Sequence, residues 1–393
     1  MKVRKGERLM GVYSEYLEKQ LSFEDLCKER KNQLKRISDI RKRDIIVYAG
    51  NINTNAPNSI DYSDILPFSD QLSNLSSKNI DIILETPGGI AEVVEEIVRL
   101  IRSKHEHVGV IVPGMAKSAG TIFAMAADEI LMGDSSSLGP IDAQIVTNGK
   151  RFSADAFLEG LKKIKIDANN NKRLELAYIP MLQNISPGEI QHYENAQKFS
   201  KTLVENWLVE YKFKEWRTHS STNLPVTDDE RKKRAEEIAS LLCNHSKWLT
   251  HARSIKIQDL RDMKLQITDY SDKAELDDAI TRYYTLLQMS FETNIYKIYE
   301  TPESQIYKSI NKTPNYPMGV NNSMPNPLIA DLECGKCHSV SKIQINFEKT
   351  FPLIDGVVPF PKNNRFKCPH CGAESDVLGL RLQLEAQSRK NIV

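Results

Sequence analysis

The segment "IDIILETPGGIAEVVEEIVRLIRSKHEHVGVIVPG", residues 80–114, changes its apolar pattern twice. A short apolar run ends at "TPGG", a stretch with apolar residues three to four apart follows, and a second short run ends at "VPG". Short apolar runs bounded by turn residues are typical of buried strands, whereas the spacing of three to four is typical of a helix. The segment therefore predicts a βαβ unit with two parallel strands.

The same alternation continues on both sides of this unit. Before it, "RDIIVYAGNIN" predicts a strand over residues 45–49. After it, "SAGTIFAMAADE" predicts a helix packed closely through its small residues, and "EILMGDSSSLGP" predicts a strand and a loop. Strands that alternate with helices across short loops indicate an α/β fold with a parallel sheet flanked by helices. This prediction covers residues 45–145.

The remaining sequence divides by composition into further segments. Apolar residues at helical spacing before residue 43 predict amphipathic helices. Residues 146–300 are predicted to be mainly helical, with helix start signals at Ser186-Pro187 and at Thr227-Asp228-Asp229 and one long helix over 274–300. "TPNYPMGVNNSMPNP" has the Pro, Asn and Gly content of a linker. The predicted organisation is a helical arm at 1–43, an α/β domain with a helical carboxyl-terminal part at 44–300, a linker at 301–328 and a cysteine-bearing domain at 329–393.

The charge balance limits the classes of partner. The chain has 53 basic and 52 acidic residues and a formal net charge of +1, so we expect neither nucleic acid nor a membrane surface as a partner. The amino terminus lacks a signal-peptide pattern, and no run of about 18 apolar residues predicts a membrane span. Six cysteines, of which four form two CxxC pairs, are typical of a reduced, metal-binding protein and favour the cytoplasm.

Two CxxC pairs near the carboxyl terminus predict a zinc ribbon. Cys334 and Cys337 form one pair, and Cys368 and Cys371 form the other, 30 residues further on. Four thiolates satisfy a tetrahedral Zn²⁺ and leave no open position for water, so the ion is predicted to be structural. The apolar residues between the pairs predict small strands.

The chemistry is predicted at the turns "TPGG" (86–89) and "AKSAGT" (116–121), which follow two neighbouring strands. Ligands of open α/β sheets bind at the carboxyl ends of the strands, so both turns can face one cleft. Ser118 begins a helix, where backbone N–H groups lack helical partners, and Gly88 lets the backbone approach a substrate. Such donors could stabilise an oxyanion. Each motif alone is equally compatible with a tight turn and close helix packing.

Together, "LETPGGIAEVVEEIVRLIR" and "VPGMAKSAGTIFAMAADEILMGDSSSLGPIDAQI" resemble the Clp-fold serine peptidases, which include the Clp protease proteolytic subunit and signal peptide peptidase A. With "HSKWLTHARSI", they are most similar to the serine dehydrogenase proteinase family, over about residues 40–270. The resemblance implies a ClpP/crotonase-like superhelix of βαβ units, a homo-oligomer and a peptide or protein substrate. It also implies Ser118 as nucleophile and the N–H groups of Gly88 and Ala119 as the oxyanion hole.

The base that activates Ser118 is left open by the resemblance. Clp-type enzymes carry a histidine about two dozen residues after the serine, where this chain has Asp142. The serine dehydrogenase proteinases are described with the order Ser, Asp, His, which implies Asp142 with a later histidine. The candidates are His192, at the expected distance, and its rivals His245 and His251. A Ser-Lys dyad, as in signal peptide peptidase A, implies Lys198 or Lys201 instead.

Three functions follow from these observations. The leading hypothesis is a serine peptidase that cleaves peptide bonds through a Ser118 acyl-enzyme, with no catalytic metal. The second is a catalytically degenerate Clp-fold scaffold that recruits a partner through its helices and zinc ribbon. The third is an acyl-CoA enzyme, because crotonases share the fold; the "KSAG" turn favours the peptidase.

Overall fold

The computed structural model describes residues 11–147, 150–183, 185–219, 222–310, 326–388 and 390–393. The chain divides into two compact units, residues 1–311 and residues 312–393. Within the described ranges, none of the helices combines the length and the apolar character that crossing a membrane requires.

The first unit is built on one mixed sheet of seven strands. The strands of the unit are β1 (Asp44–Gly50), β2 (Asn79–Glu85), β3 (His107–Val112), β4 (Met115–Ala116), β5 (Glu129–Met132), β6 (Ser137–Leu138), β7 (Gln144–Thr147), β8 (Lys150–Ser153), β9 (Thr268–Asp269), β10 (Ile295–Glu300) and β11 (Gln305–Ser309). The order in the large sheet is β11-β10-β1-β2-β3-β5-β9. Strands β1, β2, β3, β5 and β9 are parallel, while β10 and β11 are antiparallel to their neighbours. The predicted parallel sheet is confirmed.

In the described part of the first unit, twelve helices connect and cover these strands. They are α1 (Val12–Glu18), α2 (Phe23–Arg41), α3 (Ile65–Ser73), α4 (Ala91–Arg102), α5 (Ala119–Met125), α6 (Ala154–Asn171), α7 (Ile179–Leu182), α8 (Pro187–Trp207), α9 (Asp228–Cys243), α10 (His245–Trp248), α11 (Ile257–Asp262) and α12 (Ala274–Phe291). Single-turn helical segments accompany them, and a π-helical turn over Leu208–Lys212 extends α8.

Alternate residues of the central strands contact two separate apolar cores. In β1, Ile46 and Tyr48 belong to the larger core, which α3, α4, α5, α8 and α9 complete. Ile45 and Val47 point to the other face, where α2 and α12 pack. Because successive strand residues face opposite sides, a strand covered on both faces is apolar throughout, as the sequence of β1 is. The unit is therefore a three-layer α/β/α structure.

The polar ends of the helices follow the predicted start signals. Ser186 and Thr227 precede α8 and α9 and form capping boxes with Glu189 and Glu230. Each side chain satisfies a backbone N–H of the first helical turn, which explains why these helices begin there. The helices predicted before residue 43 are α1 and α2, and α2 packs on α12.

One predicted helix and one predicted boundary differ from the structure. The single helix predicted over 274–300 is wrong, because α12 ends at Phe291 and β10 pairs with β1. The β-branched and aromatic residues of "IYKIYE" favour that strand once β1 offers an edge. The linker predicted from residue 301 contains β11, which belongs to the large sheet, whereas residues 311–325 lie outside the described residues.

The described residues of the second unit form short strands and one helix. They are β12 (Leu328–Glu333), β13 (Val340–Ile345), β14 (Val358–Pro359), β15 (Arg365–Lys367), β16 (Glu374–Asp376) and α13 (Leu378–Ser388). Strands β12, β13 and β14 form one sheet, and β15 and β16 form a hairpin. A small apolar core that includes Ile343, Ile345 and Phe347 lies between these elements. The strands predicted between the two cysteine pairs are present.

Candidate active site

The two glycine- and serine-bearing turns lie side by side at the carboxyl edge of the sheet. The N–H of Thr86 donates to the carbonyl of Met115 at 2.9 Å, and the N–H of Lys117 donates to the carbonyl of Thr86 at 3.0 Å. A Cβ atom built on Gly88 would lie only 2.8 Å from the Cβ of Ser118. The predicted meeting of the turns is therefore present, and only a glycine fits at position 88 without displacing Ser118.

Ser118 has a backbone conformation that serine rarely adopts. Its φ and ψ are 51° and −115°, immediately before the first residue of α5. Such a conformation costs about 1–3 kcal/mol and persists only where the surroundings impose it. Here Gly120 N–H donates to the carbonyl of Lys117 at 2.7 Å, and the Thr121 hydroxyl lies 2.8 Å from the carbonyl of Ala116. The sharp turn presents the hydroxymethyl group at the start of the helix.

The two N–H groups predicted to form an oxyanion hole, those of Gly88 and Ala119, differ in their hydrogen bonds. Within the described residues, the N–H of Ala119 has no protein acceptor. The N–H of Gly88 donates to Oγ1 of Thr86 at 3.1 Å, within its own turn. The N–H of Ala119 is therefore free to bind an anion. The N–H of Gly88 would have to share its hydrogen between the anion and Thr86 Oγ1, or leave Thr86 Oγ1.

Asp142 accepts hydrogen bonds from two histidines at once. Its carboxylate is fully buried, with Oδ1 lying 2.7 Å from Nδ1 of His251 and Oδ2 lying 3.0 Å from Nδ1 of His245. The side chain of Gln144 donates to Oδ2 at 3.0 Å. Burial opposes ionisation of Asp142, but the histidine and Ser153 hydrogen bonds outweigh it and hold the pKa below its ordinary value. Asp142 is thus an ionised carboxylate that orients two imidazole rings.

The Lys117 side chain joins the Ser118 turn to the segment that follows His251. Its ammonium donates to the carbonyl of Leu138 at 2.8 Å, to the Ser254 hydroxyl at 3.0 Å and to the carbonyl of Arg253 at 3.3 Å. Burial and, after it, the nearby charge of Lys256 lower the pKa of Lys117 to about 8, although Glu85 acts in the opposite direction. Lys117, the residue before Ser118, therefore binds the segment that lies two to three residues after His251.

The other predicted bases are not connected to Asp142. His192 and Lys198 are exposed on α8, where they line a groove together with Glu92. Lys201 lies 3.4 Å from Glu205 and 3.9 Å from Glu236. Within the described residues, none of these three side chains forms a hydrogen bond or an ion pair with Ser118 or Asp142. Their assignment as bases stays a prediction without a supporting contact.

Glu85, the last residue of β2, is a buried acid that the sequence did not single out. Its carboxylate accepts the N–H of Met115 at 2.8 Å and the Tyr284 hydroxyl at 3.2 Å. Burial is the main reason that the pKa of Glu85 is raised to about 7, although these donors, the Gly114 N–H and Lys117 act in the opposite direction. Glu85 fastens the end of β2 to the segment that leads to Ser118.

Residues 15–186 match the family model described as ClpP-like SDH-type serine proteinase. This region is therefore similar to that family. The match begins earlier and ends earlier than the predicted resemblance over 40–270, and it includes both turns and Asp142. The matched family is one of ClpP-like serine proteinases, and the matched region lies in the mixed α/β unit described above.

Two curated relatives to which the chain is similar are uncharacterized proteins of Methanocaldococcus jannaschii. One is 31% identical over 143 residues, which are 34% of this chain and 49% of the relative, and the other is 30% identical over 160 residues, which are 37% and 53%. The chain spans about half the length of the curated relatives it matches.

Solved structures with similarity include a variant of the 1510-N membrane-bound stomatin-specific protease and ClpP1 from Listeria monocytogenes. The first is 25% identical, covers 28% of this chain and 58% of that chain, and has a TM-score of 0.22. The second is 14% identical, covers 60% and 95%, and has a TM-score of 0.31.

The four predicted cysteine ligands of the second unit converge. The sulfur atoms of Cys334, Cys337, Cys368 and Cys371 all lie within 4.8 Å of one another. The distance from Cys334 to Cys371 is 3.6 Å and that from Cys337 to Cys368 is 3.8 Å. Four thiolates at about 2.3 Å from a tetrahedral ion are separated by about 3.8 Å, so the cluster fits a metal ion.

Proposed function

We propose that this chain is a serine peptidase in which Ser118 forms an acyl-enzyme, Asp142 orients the base, and His251 is that base. The observation that carries the proposal is the buried Asp142 carboxylate, which binds Nδ1 of His251 at 2.7 Å. A serine hydroxyl needs a neighbouring base, and the base needs a third group to hold it. The order Ser, Asp, His is the one predicted for the family.

His251 is preferred over His245 because of its connections along the chain. Arg253 and Ser254, two and three residues after His251, bind the ammonium of Lys117. Lys117 is the residue before Ser118, so this contact connects the His251 segment to the Ser118 turn. His245 begins α10, where its own N–H donates to Asp155 at 2.9 Å and so fastens this turn to α6. We therefore assign the proton transfer to His251. We assign to His245 a positioning role, in which it binds Oδ2 of Asp142 and holds that carboxylate in place.

In the proposed reaction each proton has a defined route. Nδ1–H of His251 donates to Asp142, which leaves Nε2 to accept the hydroxyl proton as Ser118 Oγ attacks the scissile carbonyl. The oxyanion receives the free N–H of Ala119, and the N–H of Gly88 contributes once it leaves Thr86 Oγ1. His251 then returns the proton to the leaving amine, and water hydrolyses the acyl-enzyme by the same steps in reverse.

Fluorophosphonate labelling of the full chain tests this proposal without a known substrate. We expect Ser118→Ala to abolish labelling and His251→Gln to slow it by about 10²–10⁴-fold. His245→Gln is the matched control, because it removes the other histidine from the same carboxylate, and we expect less than about tenfold loss. If His245→Gln is the slower of the two, the base is His245; if neither variant differs from the parent, the Asp142 assignment is wrong.

The scaffold hypothesis predicts a different set of results. A catalytically degenerate chain would show no covalent labelling of Ser118 in the parent protein, and Ser118→Ala would leave its thermal unfolding and partner binding unchanged. Labelling that depends on Ser118 but not on Asp142 or either histidine would leave the peptidase proposal without its base.

We further propose that Zn²⁺ occupies the four-cysteine cluster and that its role is structural. All four coordination positions would be filled by thiolates, so no position would be open for a substrate or water. The bound ion would connect the loop after β12 to the loop after β15. A homo-oligomer, a peptide or protein substrate and a cytoplasmic location remain proposals based on the family resemblance and the cysteine content.

A further inference from the structure

The first unit contains a cavity of about 740 Å³ at the edge of the sheet opposite Ser118. Asp128 lines it, and the N–H of Val108, near the start of β3, donates to the Asp128 carboxylate at 2.8 Å. Ser118 follows the other end of β3, and a strand of six residues is about 20 Å long. The cavity is therefore separate from the proposed peptidase site, and its size is typical of small-molecule sites.

Four cationic side chains line this cavity. They are Lys212, Arg234, Arg261 and Lys264. Within the described part of the chain, Lys212, Arg261 and Lys264 make no ion pair with a carboxylate, and Arg234 pairs at 3.1 Å with Glu237 of its own helix. Most of the positive charge that faces the cavity is thus not neutralised by the protein.

The two acids at the cavity wall are already paired. The Asp128 carboxylate accepts from Arg102 at 2.8 Å, and the guanidinium of Arg102 also lies 3.7 Å from the ring of Tyr211. Glu215 is exposed and pairs with Arg217 at 2.8 Å. Each acid therefore has a cationic partner outside the set of four, and among the described residues neither forms an ion pair with a cavity cation.

Lys212 is the innermost of these cations. Its ammonium has one protein acceptor among the described residues, the carbonyl of Asp128 at 3.2 Å. Burial lowers the pKa of Lys212 to about 8, although Glu129 and Asp128 act in the opposite direction. An ammonium has three donors, so two of them remain for a ligand. A bound anion would restore the favourable environment that burial removes.

Apolar side chains form the rest of the wall. Phe213 and Leu265 are buried, and the half-buried ring of Trp216 lies 5.6 Å from that of Phe213. Convergent charges on an apolar wall suit a ligand with an anionic end and an apolar or planar body.

We propose that this cavity binds a small organic polyanion, a phosphate or a polycarboxylate, whose body packs against Trp216. The anionic groups would bind Lys212, Arg261 and Lys264. The planar guanidinium of Arg261 suits either oxyanion, because both present two oxygens to its fork of donors. This proposal does not depend on the role of Ser118.

The test is a titration of the full chain with ADP, inorganic pyrophosphate and citrate, in which calorimetry and tryptophan fluorescence measure the binding. We expect saturable binding of ADP or of citrate, and the ligand that binds shows whether the anionic group is a phosphate or a carboxylate. Binding of pyrophosphate alone would contradict the contact between an organic body and Trp216. The double variant Arg261→Gln/Lys264→Gln should weaken that binding by tenfold or more, since each charge-assisted contact contributes about a tenfold factor. Trp216→Phe should remove the fluorescence change.

The matched control is Lys162→Gln/Lys163→Gln, which removes the same charge from exposed positions of α6. It should bind like the parent protein. All four substituted positions of the two double variants are exposed, so circular dichroism should show unchanged folding. The proposal is overturned if none of the three ligands binds the parent, or if both double variants lose affinity equally.

Discussion

Ser118 is held in its unusual backbone conformation by the crowding of two turns. The carbonyl of Lys117 and the Cβ of Ser118 would lie 2.9 Å and 2.8 Å from a Cβ built on Gly88. The φ of Gly88 is +115°, a value that side-chain-bearing residues rarely adopt. Position 88 therefore has two independent requirements for glycine, and both concern the space beside the proposed nucleophile.

Gly88→Ala should lower both activity and stability. The added methyl group has to displace Ser118 or the Lys117 carbonyl and must also accept an unfavourable φ. We expect fluorophosphonate labelling to fall by at least about 10²-fold, since a misplacement of about 1 Å has that effect. The free energy of unfolding should fall by about 1–3 kcal/mol. Rates of labelling and urea unfolding curves measure the two effects.

Gly160→Ala is the control for this substitution. Gly160 lies in α6, and a Cβ built there meets no atom within 4 Å. Alanine in an exposed helix should stabilise by up to about 1 kcal/mol and should leave labelling unchanged. Equal effects of the two substitutions would mean that the space beside Ser118 does not matter.

At the scale of the elements, the sequence predicted those strands and helix starts that depend on interactions between residues close together in the chain. The apolar runs of β1 to β3 and the caps of α8 and α9 were correct because burial and capping act over a few residues. The strand β10 was missed because its partner, β1, lies about 250 residues earlier in the chain. A helical spacing cannot reveal such a partner.

The residues of the proposed site also differ in whether the sequence could indicate them. Gly88 and Ser118 lie on turns that follow predicted strands, so the local pattern could locate them, whereas Asp142 was indicated only by the family resemblance. His245 and His251 join Asp142 from 103 and 109 residues away, a pairing that only the folded chain determines. The sequence offered one signal, two histidines on either side of Trp248, and this signal could not distinguish them from His192. Glu85 was missed because one acid at the end of an apolar strand has no distinctive pattern.

Glu85 also makes the attachment of β2 to the Ser118 segment depend on pH. The pKa of Glu85 is raised from 4.5 to about 7, so between these values the folded state binds more protons than the unfolded state. Stability from this group is therefore present at low pH and is lost as the pH rises towards 7, by roughly 3 kcal/mol in all. The cause is the cost of ionising a buried carboxyl.

Glu85→Gln should remove this pH dependence. Glutamine has nearly the same shape and can still accept from Met115 and Tyr284, but it does not ionise. We expect the free energy of unfolding of the variant, relative to the parent, to rise by roughly 3 kcal/mol from pH 5 to pH 8. Urea unfolding at a series of pH values measures it. Glu194→Gln, at an exposed position of α8, should show no such rise. If the free energy of unfolding of Glu85→Gln relative to the parent stays constant from pH 5 to pH 8, the ionisation of Glu85 does not affect stability.

At the scale of the whole molecule, the two units differ in what stabilises them. The first has two apolar cores on either side of a seven-stranded sheet. The second has short strands, one small core and the four-cysteine cluster. A small unit rarely obtains enough stability from its core alone, and a structural zinc ion can contribute on the order of 10 kcal/mol. Metal removal should therefore affect the second unit selectively.

Chelation of the full chain tests this expectation. We expect about one Zn²⁺ per chain, released by a chelator or by Cys337→Ser, together with rapid proteolysis confined to residues after 311. Labelling of Ser118 should persist, because the residues of the proposed site and their contacts all belong to the first unit. Cys27→Ser is the control, since Cys27 lies on α2, outside the cluster, and should keep the metal. Purified protein without metal, or labelling that disappears with the metal, would show that the cluster does not act as an independent structural site.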